Sequence, residues 1–100
     1  MAADPDVTPP TTKVTSGPQP TFRTTVTFRF VSDDPGATFE CRLKDVVRSP
    51  AALPYRPCST PRTYHGLEPG RYKFQARAVD AAGNRDRTPA YWKFTVKKRR

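Results

Sequence analysis

The two cysteines, Cys41 and Cys58, offer the most direct chemistry in this 100-residue sequence. They lie too far apart for a CxxC redox motif, and a zinc site typically takes about four ligands, whereas His65 is the only histidine. A disulfide is therefore the favoured interpretation, and it predicts an oxidising compartment. Closing a loop of this length would contribute about 3 kcal/mol to stability. The alternative is a pair of free, buried thiols in a cytosolic protein.

Basic side chains at alternating positions are the second chemical feature. They occur in residues 39–44, 72–78 and 90–96, where they would share one outer sheet face if these segments were paired strands. The outward set would be Glu40, Arg42, Lys44, Lys73, Gln75, Arg77, Tyr91, Lys93 and Thr95. We call its five basic members the basic face: Arg42, Lys44, Lys73, Arg77 and Lys93.

Such a face would attract polyanions by counterion release, with a steep dependence on salt. Candidate partners are anionic cell-wall polymers, sulfated glycans or nucleic acid. Tyr91 is the only aromatic residue of the predicted outward set, so the row of stacking rings that is typical of nucleic-acid-binding sheets is not predicted. The alternative is a solvated strand face, rich in lysine and arginine, that binds nothing.

Metal and catalytic sites receive less support from the sequence. Asp80, Asn84 and Asp86 surround one predicted turn, and Asp33-Asp34 forms a second acidic pair. Calcium needs about six to eight oxygen ligands, and an asparagine suits a turn without any metal. For His65, the sequence shows no serine or cysteine nucleophile that could act with a base and an orienting carboxylate. We therefore predict no metal, no cofactor and no enzymatic activity.

Charge and composition set the class of protein. The net charge is +9, and residues 97–100 supply four of the positive charges. This basic tail could be a nuclear signal or a nucleic-acid-binding arm, but beside a disulfide a terminus cut at a domain boundary is the favoured interpretation.

No apolar run approaches the roughly 20 residues that span a bilayer, and residues 1–5 lack signal-peptide features. We expect a domain cut from a longer secreted protein.

The elements that would position these residues are β-strands. Apolar residues recur at every second position in four segments, and the longest, residues 72–78, lies between the turn signals Pro69-Gly70 and Gly83-Asn84. About seven short strands without any helical period predict an all-β, antiparallel two-sheet sandwich. The predicted core is Val26, Phe28, Phe30, Phe39, Leu43, Tyr72, Phe74, Ala76, Ala78, Trp92, Phe94 and Val96.

The sandwich is predicted to occupy residues 13–96, after an extended lead-in over residues 1–12 and before the basic tail at 97–100. Cys41 is predicted to lie mid-strand and to face the core, where a bridge to Cys58 would staple a neighbouring segment. Residues 45–57, between the cysteines, are predicted to form a loop with one short edge strand, because prolines are tolerated at sheet edges and not in sheet centres.

Several segments resemble bacterial immunoglobulin-like repeats, which are themselves similar to fibronectin type III modules. These segments are Pro9-Pro10, Val14-Thr15-Ser16-Gly17-Pro18, Phe39-Glu40-Cys41, Cys58-Ser59-Thr60-Pro61, Leu67 with Gly70, Ala76-Arg77-Ala78 and Asp80-Ala81-Ala82-Gly83-Asn84. The resemblance runs from about Asp6 to Val96. It implies an immunoglobulin-like sandwich in which the two cysteines pair and the Pro-Pro lead-in joins one repeat to the next.

Two departures from that family pattern bear on the structure. Residues 45–57 are longer than the usual loop, so the family does not define their shape. Residues 67–72 are one residue shorter than the type III motif, which leaves open whether Tyr72 forms a tyrosine corner.

The resemblance implies a non-catalytic spacer, structural or adhesion module of a larger bacterial cell-surface or secreted protein. Its partners would be neighbouring domains of the same polypeptide, and possible further partners are anionic polymers or another surface protein. The isolated domain is expected to be a monomer. Two alternatives stay open: a polyanion-binding module that uses the basic face, and an accessory domain of an extracellular enzyme.

Overall fold

A computed structural model describes residues 9–47 and 54–98 of the chain. Its architecture is all-β. The strands are β1 (Thr12–Ser16), β2 (Val26–Ser32), β3 (Thr38–Asp45), β4 (Arg56–Cys58), β5 (Arg62–Tyr64), β6 (Gly70–Val79) and β7 (Ala90–Val96). They form two antiparallel sheets, in the orders β1-β2-β5 and β4-β3-β6-β7. The prediction of a two-sheet sandwich of about seven strands is confirmed. In the described part of the chain, no helix has the length and apolar character needed to cross a membrane.

Strand β6 shows why the alternation produces this fold. Its even-numbered side chains from Tyr72 to Ala78 are buried, whereas the odd-numbered ones between them are half-buried on the opposite face. A tight turn ends the strand, because the Asp80 carboxylate accepts a hydrogen bond from the Asn84 N–H at 2.8 Å. Gly83 has a φ of +89°, a conformation that side chains with a Cβ rarely adopt.

The core lies between the two sheets. Phe28 of β2 stacks on Phe74 of β6 with ring centroids 4.0 Å apart, and Phe94 of β7 lies 5.5 Å from Phe28. Nine of the twelve predicted core residues are buried, and Cys41 is a further buried member. Three predicted core residues are partly buried and pack against its margin: Phe39, Leu43 and Trp92.

Trp92 is positioned by the segment that connects β1 to β2. Its Nε1–H donates to the Pro18 carbonyl oxygen at 2.8 Å, and Gly17 lies so close that a Cβ there would be 2.7 Å from the indole. The same segment then runs beside β7, where the Thr21 N–H donates to the Thr95 carbonyl oxygen at 3.1 Å. The connection therefore covers the outer edge of β7 at its C-terminal end.

Tyr72 makes the hydrogen bond of a tyrosine corner, which the sequence alone left undecided. Its hydroxyl donates to the Glu68 carbonyl oxygen at 2.6 Å. This is the bond of a tyrosine corner, in which a tyrosine near the start of a strand holds the backbone a few residues upstream. The shorter segment before Tyr72 does not prevent it.

The chain enters and leaves the sandwich at opposite ends. At the start of β1, the Thr12 hydroxyl oxygen accepts a hydrogen bond from the Ala78 N–H at 2.8 Å. At the end of β7, Val96 pairs with Gly70. Gly70 and Ala78 stand at the two ends of β6, about 26 Å apart at about 3.3 Å per residue.

Packing of the lead-in begins before β1. Pro10 is buried, and the Thr11 N–H donates to Asp33 Oδ1 at 2.9 Å. This hydrogen bond lowers the pKa of Asp33 below its ordinary value of 3.8. Residues 1–8 of the predicted lead-in and 99–100 of the basic tail lie outside the described residues.

A disulfide joins Cys41 of β3 to Cys58 of β4, with the two Cα atoms 5.8 Å apart. Both cysteines belong to the same sheet, because β4 pairs with β3 and forms its edge. The predicted bridge and edge strand are therefore confirmed, whereas residues 48–53 of the predicted loop lie outside the described residues. A disulfide is the form that cysteines take in oxidising compartments.

Candidate functional site

The outer face of the four-stranded sheet brings the predicted basic residues together. Strand β6 pairs with β3 on one side and with β7 on the other, as the prediction required. The register places Lys44 opposite Lys73, and Lys73 opposite Lys93. We call these three residues the lysine row. Since neighbouring strands are about 4.8 Å apart, the row crosses about 9.6 Å of sheet at a right angle to the strands.

No carboxylate in the part of the chain that the structure describes neutralises the lysine row. Within residues 9–47 and 54–98, none of the three lysines forms an ion pair with a carboxylate. Like charges placed directly opposite each other on paired strands destabilise a sheet. The row is therefore expected to be unfavourable for the fold, and an anion bound across it would reduce the repulsion between the lysines.

Tyr91 lies beside the row. It pairs with Gln75, one outward position along the strands from Lys73 and Lys93, and its side chain is 57% exposed. The Nζ atoms of Lys73 and Lys93 lie 4.7 Å and 5.9 Å from its ring centroid. An exposed aromatic ring and two ammonium groups thus share one small area.

The two arginines of the basic face are engaged differently. Arg42 Nε donates to Gln75 Oε1 at 2.7 Å, and Arg77 Nε donates to Glu40 Oε1 at 2.8 Å. Arg85 Nε joins the same carboxylate oxygen at 3.1 Å. Among the described residues, the basic face therefore divides into a lysine row without ion pairs and an arginine group that is hydrogen-bonded to side chains of the sheet.

Glu40 responds electrostatically to these arginines. Its burial would raise the pKa of the carboxyl group, but the hydrogen bonds and charges of Arg85 and Arg77 outweigh this effect. The pKa of Glu40 therefore lies below its ordinary value of 4.5. Glu40 stays ionised at neutral pH and holds both guanidinium groups in place.

Tyr55 is a second aromatic residue on this face, and it was missed in the sequence. The guanidinium carbons of Arg42 and Arg77 lie 4.3 Å and 3.9 Å from its ring centroid. Burial raises the pKa of the Tyr55 hydroxyl, although the two arginine charges oppose that shift. A signal was present: if Cys58 faces the core to meet Cys41, then side chains at odd positions before it, such as Tyr55, face outward.

The other residues considered for chemistry have structural partners. His65 is exposed, with Nδ1 3.4 Å from the Thr25 hydroxyl. Asp80 Oδ2 accepts from the Asn84 amide at 2.9 Å. Asp86 Oδ1 accepts from the Thr88 N–H at 2.8 Å. Over residues 9–47 and 54–98, no group of three or more histidine, cysteine, aspartate and glutamate side chains could hold a metal ion.

Fold and face together define a small all-β sandwich domain with a cationic sheet surface. Comparison with protein families finds no family model that matches the chain, and comparison with curated proteins finds no relative. The resemblance to immunoglobulin-like repeats accordingly stays a prediction.

Proposed function

We propose that the chain is a non-catalytic, immunoglobulin-like module of a bacterial surface or secreted protein, and that its basic face binds polyanions. The observation that carries the binding role is the lysine row, three lysines at paired backbone positions on one sheet, without a carboxylate partner among the described residues. The disulfide supports the extracellular setting.

The lysines, rather than the arginines, contact the ligand. Arg42 and Arg77 already donate to side chains of the sheet and contact Tyr55. The lysine row instead supplies point charges that no carboxylate among the described residues pairs with. With three charge contacts, the logarithm of the binding constant should fall by about 2 to 3 per tenfold increase in salt.

Paired charge variants test this proposal. K44Q/K73Q/K93Q removes the lysine row, and K13Q/R23Q/R29Q removes the same charge from exposed residues elsewhere on the domain. We expect the first variant to elute from immobilised dextran sulfate at clearly lower salt than the wild type, and the second to elute close to the wild type. Equal shifts for the two variants would mean that retention follows net charge alone, and the binding role would be abandoned.

The basic tail needs its own control because it carries four charges. A variant with residues 97–100 changed to glutamine keeps the lysine row intact. If this variant loses retention while K44Q/K73Q/K93Q keeps it, the tail is the binding element and the sheet face is not.

A spacer role is a second candidate, favoured by the positions of the chain ends. Thr12 lies beside Ala78 and Val96 beside Gly70, at opposite ends of β6. Modules joined through such ends would extend in line, and the buried Pro10 would restrict bending at the junction. The division into sheets of three and four strands and the Tyr72–Glu68 hydrogen bond support the immunoglobulin-like assignment.

Small-angle scattering on two copies joined through their own Pro9-Pro10 lead-in tests the spacer role. We expect a maximum dimension close to twice that of one copy. A value close to that of one copy would show that the modules fold back side by side, which excludes a spacer.

A further inference from the structure

We infer that the polyanion is an acidic polysaccharide with about one charged group per sugar, which lies across the strands along the lysine row and contacts Tyr91. This inference rests on the proposed binding role of the basic face and specifies its ligand.

The spacing of the row is the first argument. Lys44, Lys73 and Lys93 lie on three neighbouring strands, so their attachment points repeat about every 4.8 Å. One pyranose residue of an extended glycan has a similar length. A chain with a carboxylate or a sulfate ester on each sugar can therefore bring one charge to each lysine, and the flexible lysine stems absorb small mismatches.

Tyr91 is the second argument. Its ring is 57% exposed beside the row and combines an apolar face with a hydroxyl group. A sugar ring presents C–H groups on its faces and hydroxyl groups on its edge, so Tyr91 can contact both. The neighbouring Lys73 and Lys93 would bind the acidic group of the same or the next sugar.

The same features disfavour nucleic acid. Single strands gain affinity when successive bases stack on several aromatic rings. Of the two aromatic residues that the structure describes on this face, Tyr55 lies against two guanidinium groups and Tyr91 is exposed. Duplex DNA carries about one charge per 1.7 Å of its axis, which is much denser than the row, so most of its phosphates would find no cation here.

The experiment measures affinity by fluorescence anisotropy at one salt concentration, with labelled probes of matched total charge. The probes are oligogalacturonate, which carries carboxylates, a sulfated heparin fragment, linear polyphosphate and single-stranded oligothymidylate. We expect one or both glycans to bind at least fivefold more tightly than the polyphosphate and the oligonucleotide. The difference between the two glycans then identifies the acidic group.

Tyr91→Ala and its matched control complete the design. Phe22 is a suitable control because it is also an exposed ring, 47% accessible, with Lys97 Nζ 5.5 Å from its centroid. We expect Y91A to weaken glycan binding about fivefold to tenfold, as loss of a stacking contact does. Y91A should change polyphosphate binding less than twofold, and F22A should change neither.

The outcomes separate the two proposals. If no probe binds the wild type, both the proposed binding role and the proposal of an acidic polysaccharide as ligand are refuted. If all probes bind equally, are lost in K44Q/K73Q/K93Q and are unaffected by Y91A, the basic face binds polyanions but the polysaccharide assignment is overturned. Tighter glycan binding that is weakened by Y91A supports both.

Discussion

Removing the disulfide should destabilise the domain by about 3 kcal/mol. Cys41 and Cys58 are 17 residues apart in sequence, and a cross-link that closes a loop of that length restricts the unfolded chain by about 3 kcal/mol. Strand β4 has only three residues paired with β3, so few backbone contacts would replace the bridge. Truncating Cys41, which is 4% exposed, adds a small packing loss.

Urea unfolding of C41A/C58A, followed by Trp92 fluorescence, measures this loss. A domain of this size should have an m-value of about 1–1.5 kcal/mol/M, at the lower end of the range for small proteins, so the midpoint should fall by about 2–3 M. Wild-type protein in reducing agent should shift to a similar midpoint, whereas C41A/C58A should not respond to the reductant. Reduction should also raise the intact mass by roughly 2 Da, the two hydrogens of one bridge.

A midpoint for C41A/C58A within about 0.3 M of the wild type would refute this reasoning, because it corresponds to less than about 0.5 kcal/mol. The intervening segment would then already be restricted in the unfolded state, or the cysteines would not be joined. The intact mass distinguishes these two explanations.

Three further predictions concern single side chains. Gly17→Ala should cost about 1–3 kcal/mol in urea unfolding, because its Cβ would lie 2.7 Å from the Trp92 indole; a variant as stable as the wild type would show that the indole moves freely. Tyr72→Phe should cost about 1 kcal/mol through loss of the 2.6 Å hydrogen bond to Glu68, and an unchanged melting temperature would contradict that. Glu40→Gln should be less stable than the wild type at pH 7. The pKa of Glu40 in the folded protein lies below 4.5. The ionised carboxylate therefore stabilises the wild type relative to E40Q above pH 4.5, and this difference in stability is lost as the pH falls further. A difference in melting temperature that persists unchanged at pH 3 would exclude the charge of Glu40 as its cause.

Alternation in the sequence predicted the strands and the core because each strand buries one face only. Each of three central phenylalanines belongs to the apolar set of every second residue in its own strand, and all three are buried: Phe28, Phe74 and Phe94. The same alternation predicted that the lysines face outward. It could not predict their alignment, because a shift of two residues between strands keeps every side chain on its face and moves Lys73 away from Lys44.

Features created by less regular segments could not be predicted in the same way. The closeness of Gly17 to Trp92 depends on the path of a connection rather than on a periodic pattern. Arg85 reaches Glu40 from the turn after β6, and a turn residue has no face that alternation can assign. Tyr55 required the additional step of counting backward from Cys58.

Both margins of the four-stranded sheet are built in a way that discourages self-association. On one margin, Pro57 lies in the middle of β4 and has no N–H to offer an incoming chain. On the other, Thr21 bonds to Thr95 and Lys97 along the C-terminal end of β7. Unprotected margins would let crowded copies add strand to strand. Copies of the domain at high concentration should therefore keep their four-stranded sheets separate.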